Sequence, residues 1–156
     1  MKIRPIETKD NQALYQLIQQ ILKEEKLDLP GTAYYDASLA TLSTFYHSAK
    51  NAEYFVLVDE TDKAIGGVGI APFSGAICEL QKLYVLPAYR GQGYSKKLLE
   101  TGLDFAKKYY QQIYLETHSS LRTALKLYEN YDFKNLSAPL NGSEHSAMDK
   151  WLLRDL

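Results

Sequence analysis

The 156-residue chain has a single cysteine, no long apolar run and almost no net charge. With only Cys78, it can form neither an internal disulfide nor a cysteine-based zinc site. No stretch approaches the roughly 18 apolar residues needed to span a membrane, and the first residues lack the apolar run of a secretory signal. The 18 Lys plus Arg and 19 Asp plus Glu give a formal charge of −1, which argues against a nucleic-acid or membrane-surface partner. We therefore expect a cytoplasmic protein that forms one domain over residues 1–156.

Hydrophobic residues make up 46% of the chain, which is enough for a core, and their spacing alternates between strand and helix periods. The side chains of Asp10 and of Ser119 or Ser120 are candidate helix caps. The order of elements predicts an α/β (α+β) fold with a mixed sheet. The predicted elements are a strand at 2–7, helices after Asp10 and over 39–49, strands at 54–59, 64–71 and 77–85, a helix after residue 93, a strand at 113–117, a helix ending near residue 130, and a strand pair at 133–136 and 148–153.

Residues 79–93 (ELQKLYVLPAYRGQG) lead from a strand through a proline and a glycine turn into a helix. The first N–H groups of a helix have no intrahelical partner, and the helix dipole adds positive charge there, so such a turn can bind an anion. Gly91 and Gly93 leave room for a phosphate, and Arg90, Lys96 and Lys97 add positive charge. Residues 82–108 carry six basic and two acidic side chains, so the segment is positive within a nearly neutral chain. The two glycines are also compatible with a tight turn that binds nothing.

Residues 90–95 (RGQGYS) resemble the Gln/Arg-x-x-Gly-x-Gly/Ala signature of the GNAT family of N-acetyltransferases. Residues 79–87 are similar to the fourth strand of that family, and residues 124–133 to its Ala-x-x-Leu-Tyr helix. The resemblance implies a mixed, mostly antiparallel central sheet flanked by helices, with two splayed parallel strands at the cofactor cleft. Three residues depart from the family pattern: Ser95 replaces Gly or Ala, Leu121 stands where Asn is frequent, and Asp132 replaces a glycine. An aspartate tolerates the left-handed conformation that this glycine position requires.

The resemblance further implies acetyl-coenzyme A as the cofactor. No metal is expected, because the three histidines show no metal-ligand spacing. The pyrophosphate would bind to backbone amides at the glycine turn, and the pantetheine arm would pair with the fourth strand as an added strand. Because Leu121 lacks the amide of the family's Asn, one cofactor contact would be lost. The residues expected to bind the cofactor are Leu83, Tyr84, Val85, Arg90, Gly91, Gln92, Gly93, Tyr94, Ser95 and Lys96.

Two residues are the expected catalytic groups. Tyr128 matches the family's tyrosine, which acts as general acid toward the coenzyme sulfur, although its helical spacing also suits a core aromatic. Glu79 is the expected general base, and its alternative is a solvent-facing strand residue. Glu116 and His118, on one face of the next strand, or a water molecule are other candidates for the base.

The remaining candidates have simpler interpretations. Glu144 and His145 lie in a segment typical of a solvated loop, and contact with the substrate is the alternative. Cys78 suits a small core residue better than a nucleophile. The histidines show no metal-ligand spacing.

The expected function is therefore that of an acyltransferase, an acetyl-coenzyme A-dependent N-acetyltransferase that acts by direct transfer to a primary amine. The acceptor would be a small molecule or amino-acid-like compound, with specificity from the second helix and the loops at 26–36 and 141–148. Tyr34, Tyr35 and Tyr46 are candidates for the pocket wall. We expect a monomer or homodimer that binds neither nucleic acid nor membrane. The alternative is a coenzyme-binding sensor or interaction module without turnover.

Overall fold

Seven strands form one sheet in the computed structural model, which describes all 156 residues. Their spatial order is β1-β2-β3-β4-β5-β7-β6, and every neighbouring pair is antiparallel except β4 and β5. This confirms the mixed, mostly antiparallel sheet expected from the sequence. The strands are β1 (Lys2–Pro5), β2 (Glu53–Val58), β3 (Ala64–Ser74), β4 (Ile77–Val85), β5 (Gln112–Thr117), β6 (Lys134–Leu136) and β7 (Lys150–Asp155).

Four helices cover the sheet: α1 (Asn11–Glu24), α2 (Leu42–His47), α3 (Tyr94–Lys107) and α4 (Arg122–Asn130). The apolar residues of α1 and α2 belong to one buried cluster, and those of α3 belong, with Tyr128 of α4, to a second. Because side chains alternate along β2, Val56 enters the first cluster and Leu57 the second. None of the helices is both long enough and apolar enough to cross a membrane.

Neither predicted side-chain cap forms. The carboxylate of Asp10 instead binds the Arg4 guanidinium at 2.8 and 2.9 Å and accepts the backbone N–H of Glu7. Ser119 lies before α4, but its hydroxyl donates to Asp149. In both cases the side chain binds a charged residue instead of the free N–H groups at the start of the helix.

The two parallel strands separate early. Pairing between β4 and β5 covers three residue pairs, from Ile77 with Gln112 to Glu79 with Tyr114. Beyond Glu79, β4 has no strand partner on that side. This produces the splayed parallel pair that the sequence predicts, with an open backbone edge along the second half of β4.

A bulge lies in this second half of β4. Gly67 and Gly69 of β3 pair with Tyr84 and Gln81, so β4 carries one extra residue between these pairs. Lys82 lies in the bulge and adopts a φ of +52°, a left-handed conformation unfavourable for a residue with a side chain.

Two buried tyrosines cross β3 next to this bulge. A Cβ atom at Gly67 would overlap the ring of Tyr54, and one at Gly69 would overlap the ring of Tyr46. The Tyr54 hydroxyl passes over β3 and donates to the carbonyl of Lys82 at 2.8 Å. The glycines of β3 therefore make room for aromatic rings that hold β4 in its irregular shape.

Candidate functional site

A cavity of about 100 Å³ opens where β4 and β5 diverge. Residues of both strands, of α4, of the end of α1 and of the loops at 26–36 and 141–148 line it. Eleven of its 18 lining residues are hydrophobic when Tyr84 and Tyr128 are counted among them. Its polar or charged residues are Thr32, Glu79, Gln81, Lys82, Tyr84, Glu116, Thr117, Tyr128 and His145.

Glu79 lies in this cavity, not on a solvent-facing strand surface. Its Oε1 accepts a hydrogen bond from the side-chain nitrogen of Gln81 (Nε2) at 2.5 Å. The side-chain oxygen of Gln81 (Oε1) in turn accepts one from the Tyr46 hydroxyl at 2.7 Å. Burial raises the pKa of Glu79; the Gln81 hydrogen bond opposes that rise, and the negative charge of Glu116 adds to it. A carboxylate with a raised pKa at the wall of a cavity is suited to take up a proton.

Glu116 lines the cavity from β5. Its Oε2 accepts a hydrogen bond from the Tyr114 hydroxyl at 2.6 Å, and that hydroxyl accepts the Leu140 N–H at 3.2 Å. Glu116 Oε1 is shielded from solvent and has no hydrogen-bond partner.

His118, the other candidate, directly follows β5 and is not part of the cavity wall. Its Nδ1 lies 2.8 Å from the Ser120 hydroxyl, and its Nε2 lies 3.9 Å from an Asp149 oxygen. Of the alternative bases Glu116 and His118, only Glu116 lines the cavity.

Tyr128 of α4 is 6% exposed and contacts both the core and the cavity. Its ring packs edge-on against Phe133, with centroids 5.6 Å apart. Burial raises the pKa of Tyr128 above its usual value, and burial is the only cause of the shift. The hydroxyl therefore stays protonated at neutral pH and can donate a hydrogen bond into the cavity.

An ionic cluster of Lys82, Asp36 and His145, in which the Lys82 side chain is buried and the other two are half-buried, was not predicted. The Lys82 ammonium, whose side chain is 4% exposed, lies 2.7 Å from Asp36 Oδ2, and His145 Nε2 donates to Asp36 Oδ1 at 2.9 Å. Burial acts to raise the pKa of Asp36, but the His145 hydrogen bond and the Lys82 charge outweigh it and lower that pKa. The hydrogen bond to Asp36 raises the pKa of His145.

The assignment of His145 to a solvated loop was therefore wrong: the residue lines the cavity. Lys82 also cannot contribute to the positive surface of residues 82–108, because Asp36 neutralises it inside the protein. A lysine within a largely apolar strand was the one available sequence signal for this cluster. Asp36 carried none.

The loops at 26–36 and 141–148 meet over the cavity. The Ala147 N–H donates to the Gly31 carbonyl at 3.1 Å, and a Cβ atom at Gly31 would lie 2.5 Å from the Ser146 hydroxyl oxygen. None of the tyrosines predicted as pocket walls lines the cavity. Tyr35 is 61% exposed and Tyr46 is fully buried, while Tyr34 packs against the first core cluster.

The predicted anion site has the expected backbone. Gly91 and Gly93 have φ values of +75° and +81°, and no atom lies within 4 Å of a Cβ placed on either. The N–H groups of residues 91–96 have no backbone acceptor, because the first bond at the start of α3 runs from Lys97 N–H to the Gly93 carbonyl. Arg90 is exposed, and its Nε donates to the Val85 carbonyl at 3.0 Å. Residues 91–96 thus present six unpaired donors at one place.

Cys78 is a core residue, as predicted: it is fully buried, and burial raises the pKa of its thiol to about 12. A thiol with that pKa is not a nucleophile at neutral pH. No group of three or more His, Cys, Asp or Glu side chains is placed to hold a metal ion.

The family model described as Acetyltransferase (GNAT) family matches residues 11–133. The chain belongs to this family. An uncharacterized N-acetyltransferase of Escherichia coli K12, YjgM, is 35% identical over 159 residues, covering 99% of this chain and 94% of that protein. A GNAT acetyltransferase structure from Staphylococcus aureus superposes with a TM-score of 0.86 at 19% identity, covering 99% of this chain and 98% of the other. A phosphinothricin acetyltransferase from Sinorhizobium meliloti, solved with acetyl-coenzyme A, superposes with a TM-score of 0.76 at 16% identity and covers 99% and 88%.

As a GNAT protein the chain is an acyltransferase, and acetyl-coenzyme A is its cofactor. Its own backbone fits that molecule. The unpaired N–H groups of residues 91–96 suit a pyrophosphate, and the free edge of β4 suits an extended amide-bearing arm. Leu83 and Tyr84 line the cavity that this edge borders, whereas the Val85 side chain is buried in the core.

Proposed function

We propose that the protein transfers an acetyl group directly from acetyl-coenzyme A to the primary amine of a small-molecule or amino-acid-like acceptor. The observation that carries this proposal is the meeting of Glu79, Glu116 and Tyr128 in one small cavity at the point where β4 and β5 separate. Because two joined loops border that cavity, a compact acceptor suits it better than the surface of a folded protein. The neighbour from Sinorhizobium meliloti, named for phosphinothricin, supports a small acceptor.

Two backbone regions would hold the cofactor. The N–H groups at the start of α3, from Gly91 to Lys96, would bind the pyrophosphate. The main chain of Leu83 to Val85 would pair with the pantetheine arm along the free edge of β4. The bound cofactor supplies an acetyl group activated as a thioester.

Glu79 would act as the base. An alkylammonium has a pKa of about 10 and cannot attack until it loses a proton. The Glu79 carboxylate, held at one oxygen by Gln81, accepts that proton and returns it to solvent. Its raised pKa brings its proton affinity closer to that of the amine.

Tyr128 would act at the leaving group, where negative charge develops as the C–S bond breaks and the C–N bond forms. Its protonated hydroxyl would donate a hydrogen bond to the departing sulfur. In the net reaction the sulfur takes up the second proton that the nitrogen loses as the amide forms. The backbone N–H near Leu83 is a donor for charge on the acetyl oxygen. Both groups stabilise charge that is absent from the bound reactants, which is the requirement for acceleration.

The test is release of free thiol when the purified protein is incubated with acetyl-coenzyme A and a panel of small amines. We expect amine-dependent release, with one acetylated amine per thiol by mass spectrometry. Incubation without amine is the control for thioester hydrolysis. Tight binding of acetyl-coenzyme A with no product from any amine would refute the enzymatic role and favour a sensor module.

A further inference from the structure

We propose that Glu116 binds the ammonium group of the acceptor, and that the cavity selects a monocationic amine with an apolar body over the corresponding amino acid. The inference rests on the proposed function, since it places the acceptor in the same cavity. Beyond that function, it assigns recognition of the amine to Glu116 and predicts that the cavity excludes amino acids.

The first observation is the unpaired oxygen of Glu116. The Tyr114 hydroxyl holds Oε2 at 2.6 Å, while Oε1 has no partner and no access to solvent. A buried polar atom without a hydrogen bond is costly and rare in folded proteins, so each case calls for a specific cause. Because Glu116 lines the cavity, an ammonium bound there would compensate the carboxylate charge, and a small turn of the carboxylate would bring Oε1 to one of its N–H donors.

The second observation is the charge of the other lining residues. The two cationic residues in the wall, Lys82 and His145, both bind Asp36. Glu79 and Glu116 bind no cation. The lining therefore holds two carboxylates that no cation contacts directly, while its two cations both bind Asp36. An acceptor carboxylate would approach two glutamates, and such like-charge contacts are strongly unfavourable in a buried site.

The third observation is the apolar wall. Leu22, Leu27, Ala33, Leu121 and Met148 line the cavity from α1, the residue before α4 and the two loops. Leu121 contributes an aliphatic side chain at the position where the family frequently has an amide. An amine with an aliphatic body fills such a space without leaving polar groups unpaired.

The test compares isobutylamine with valine, which differ only in the α-carboxylate. Two quantities are measured for each: the dissociation constant from an NMR titration of the cofactor-free protein, and kcat/KM with acetyl-coenzyme A. We expect wild-type protein to favour isobutylamine by about 100-fold or more in both. Glu116→Gln should weaken isobutylamine binding about 10- to 100-fold, since it removes a charge-assisted hydrogen bond. In kinetics, Glu116→Gln should act mainly by raising KM for isobutylamine. It should also reduce the ratio by which the protein favours isobutylamine over valine.

Glu129→Gln is the matched control, because Glu129 is exposed on α4 and does not line the cavity. It removes the same charge and should leave both measurements unchanged. If Glu116→Gln does not fold, Glu116→Asp, which keeps the charge but withdraws it by one methylene, should show an intermediate loss of amine affinity.

Two outcomes overturn the inference: a preference of the wild-type protein for valine, or amine binding that neither Glu116 variant alters. A different result would show that the proposed acetyltransferase function is wrong while this inference is right. Isobutylamine would then bind in a Glu116-dependent manner, yet no amine of the panel would be acetylated.

Discussion

Replacing Asp36 with alanine should destabilise the protein by about 3–5 kcal/mol, the usual cost of removing one partner from a buried ion pair. The side chain of Lys82 is 4% exposed, so its ammonium would be left without a counterion in a nearly dry environment. The free energy of unfolding is measured by urea denaturation followed by circular dichroism.

A double-mutant cycle separates this pair from its surroundings. Lys82→Met removes the buried charge with little change in side-chain volume, and Asp36 keeps its hydrogen bond from His145. The variant that combines Asp36→Ala with Lys82→Met should therefore be more stable than Asp36→Ala alone, with a coupling energy of about 2 kcal/mol or more. Additive losses in the cycle, or a loss below about 1 kcal/mol for Asp36→Ala, would refute the reasoning.

The pH dependence gives a second measure of the same cluster. The pKa of Asp36 is lowered in the folded protein, so its contribution to stability is present above the ordinary aspartate pKa and is lost as the pH falls through the lowered value. The pKa of His145 is raised, so its contribution is present below the ordinary histidine pKa and is lost as the pH rises through the raised value. The difference in unfolding free energy between wild type and Asp36→Ala should thus be largest above the ordinary aspartate pKa and below the ordinary histidine pKa. At higher pH it should decline to the part due to Lys82.

Three other predictions concern the reaction and the cofactor. Tyr128→Phe should lower kcat about 100-fold and leave KM for acetyl-coenzyme A nearly unchanged in steady-state assays, whereas unchanged kcat would exclude Tyr128 from the chemistry. The acidic limb of the kcat/KM profile should lie above pH 4.5, because burial raises the pKa of Glu79, and Glu79→Gln should abolish that limb; a limb that persists in the variant would assign it to another group. Gly93→Ala should weaken coenzyme A binding in calorimetry at a stability cost of about 1 kcal/mol, since alanine is disfavoured at a φ of +81°. Gly75→Ala, at a φ of +55° in the turn between β3 and β4, is its control and should leave coenzyme affinity intact.

Features that depend on local backbone conformation could be predicted from the sequence. Gly91 and Gly93 were expected to open a helix, and both adopt the left-handed conformation just before α3. Asp132 was expected to replace a glycine in that conformation, and its φ is +68°. In each case a few adjacent residues determine the backbone, so a short pattern contains the required information.

The buried ionic cluster could not be predicted in this way. Asp36 is separated from Lys82 by 46 residues and from His145 by 109. Nothing near His145 distinguishes it from a histidine in a solvated loop, since its environment comes from a distant carboxylate. The absent side-chain cap at Asp10 has a different cause: the Asp10 carboxylate binds Arg4, which is only six residues away on β1.

The bulge of β4 connects this cluster to the chemistry of the site. A lysine at a φ of +52° is strained by about 1–2 kcal/mol, and such strain persists only where the surroundings compensate it. Here two contacts do so: the Tyr54 hydroxyl binds the Lys82 carbonyl, and Asp36 binds its ammonium. Gln81, one residue earlier, holds Glu79. Because the backbone that presents Glu79 continues directly into the strained residue, loss of Asp36 should disturb the proposed base as well as the fold. Asp36→Ala should therefore lower activity as well as stability. At a urea concentration where the variant is still fully folded, its kcat should already be lower than that of the wild type.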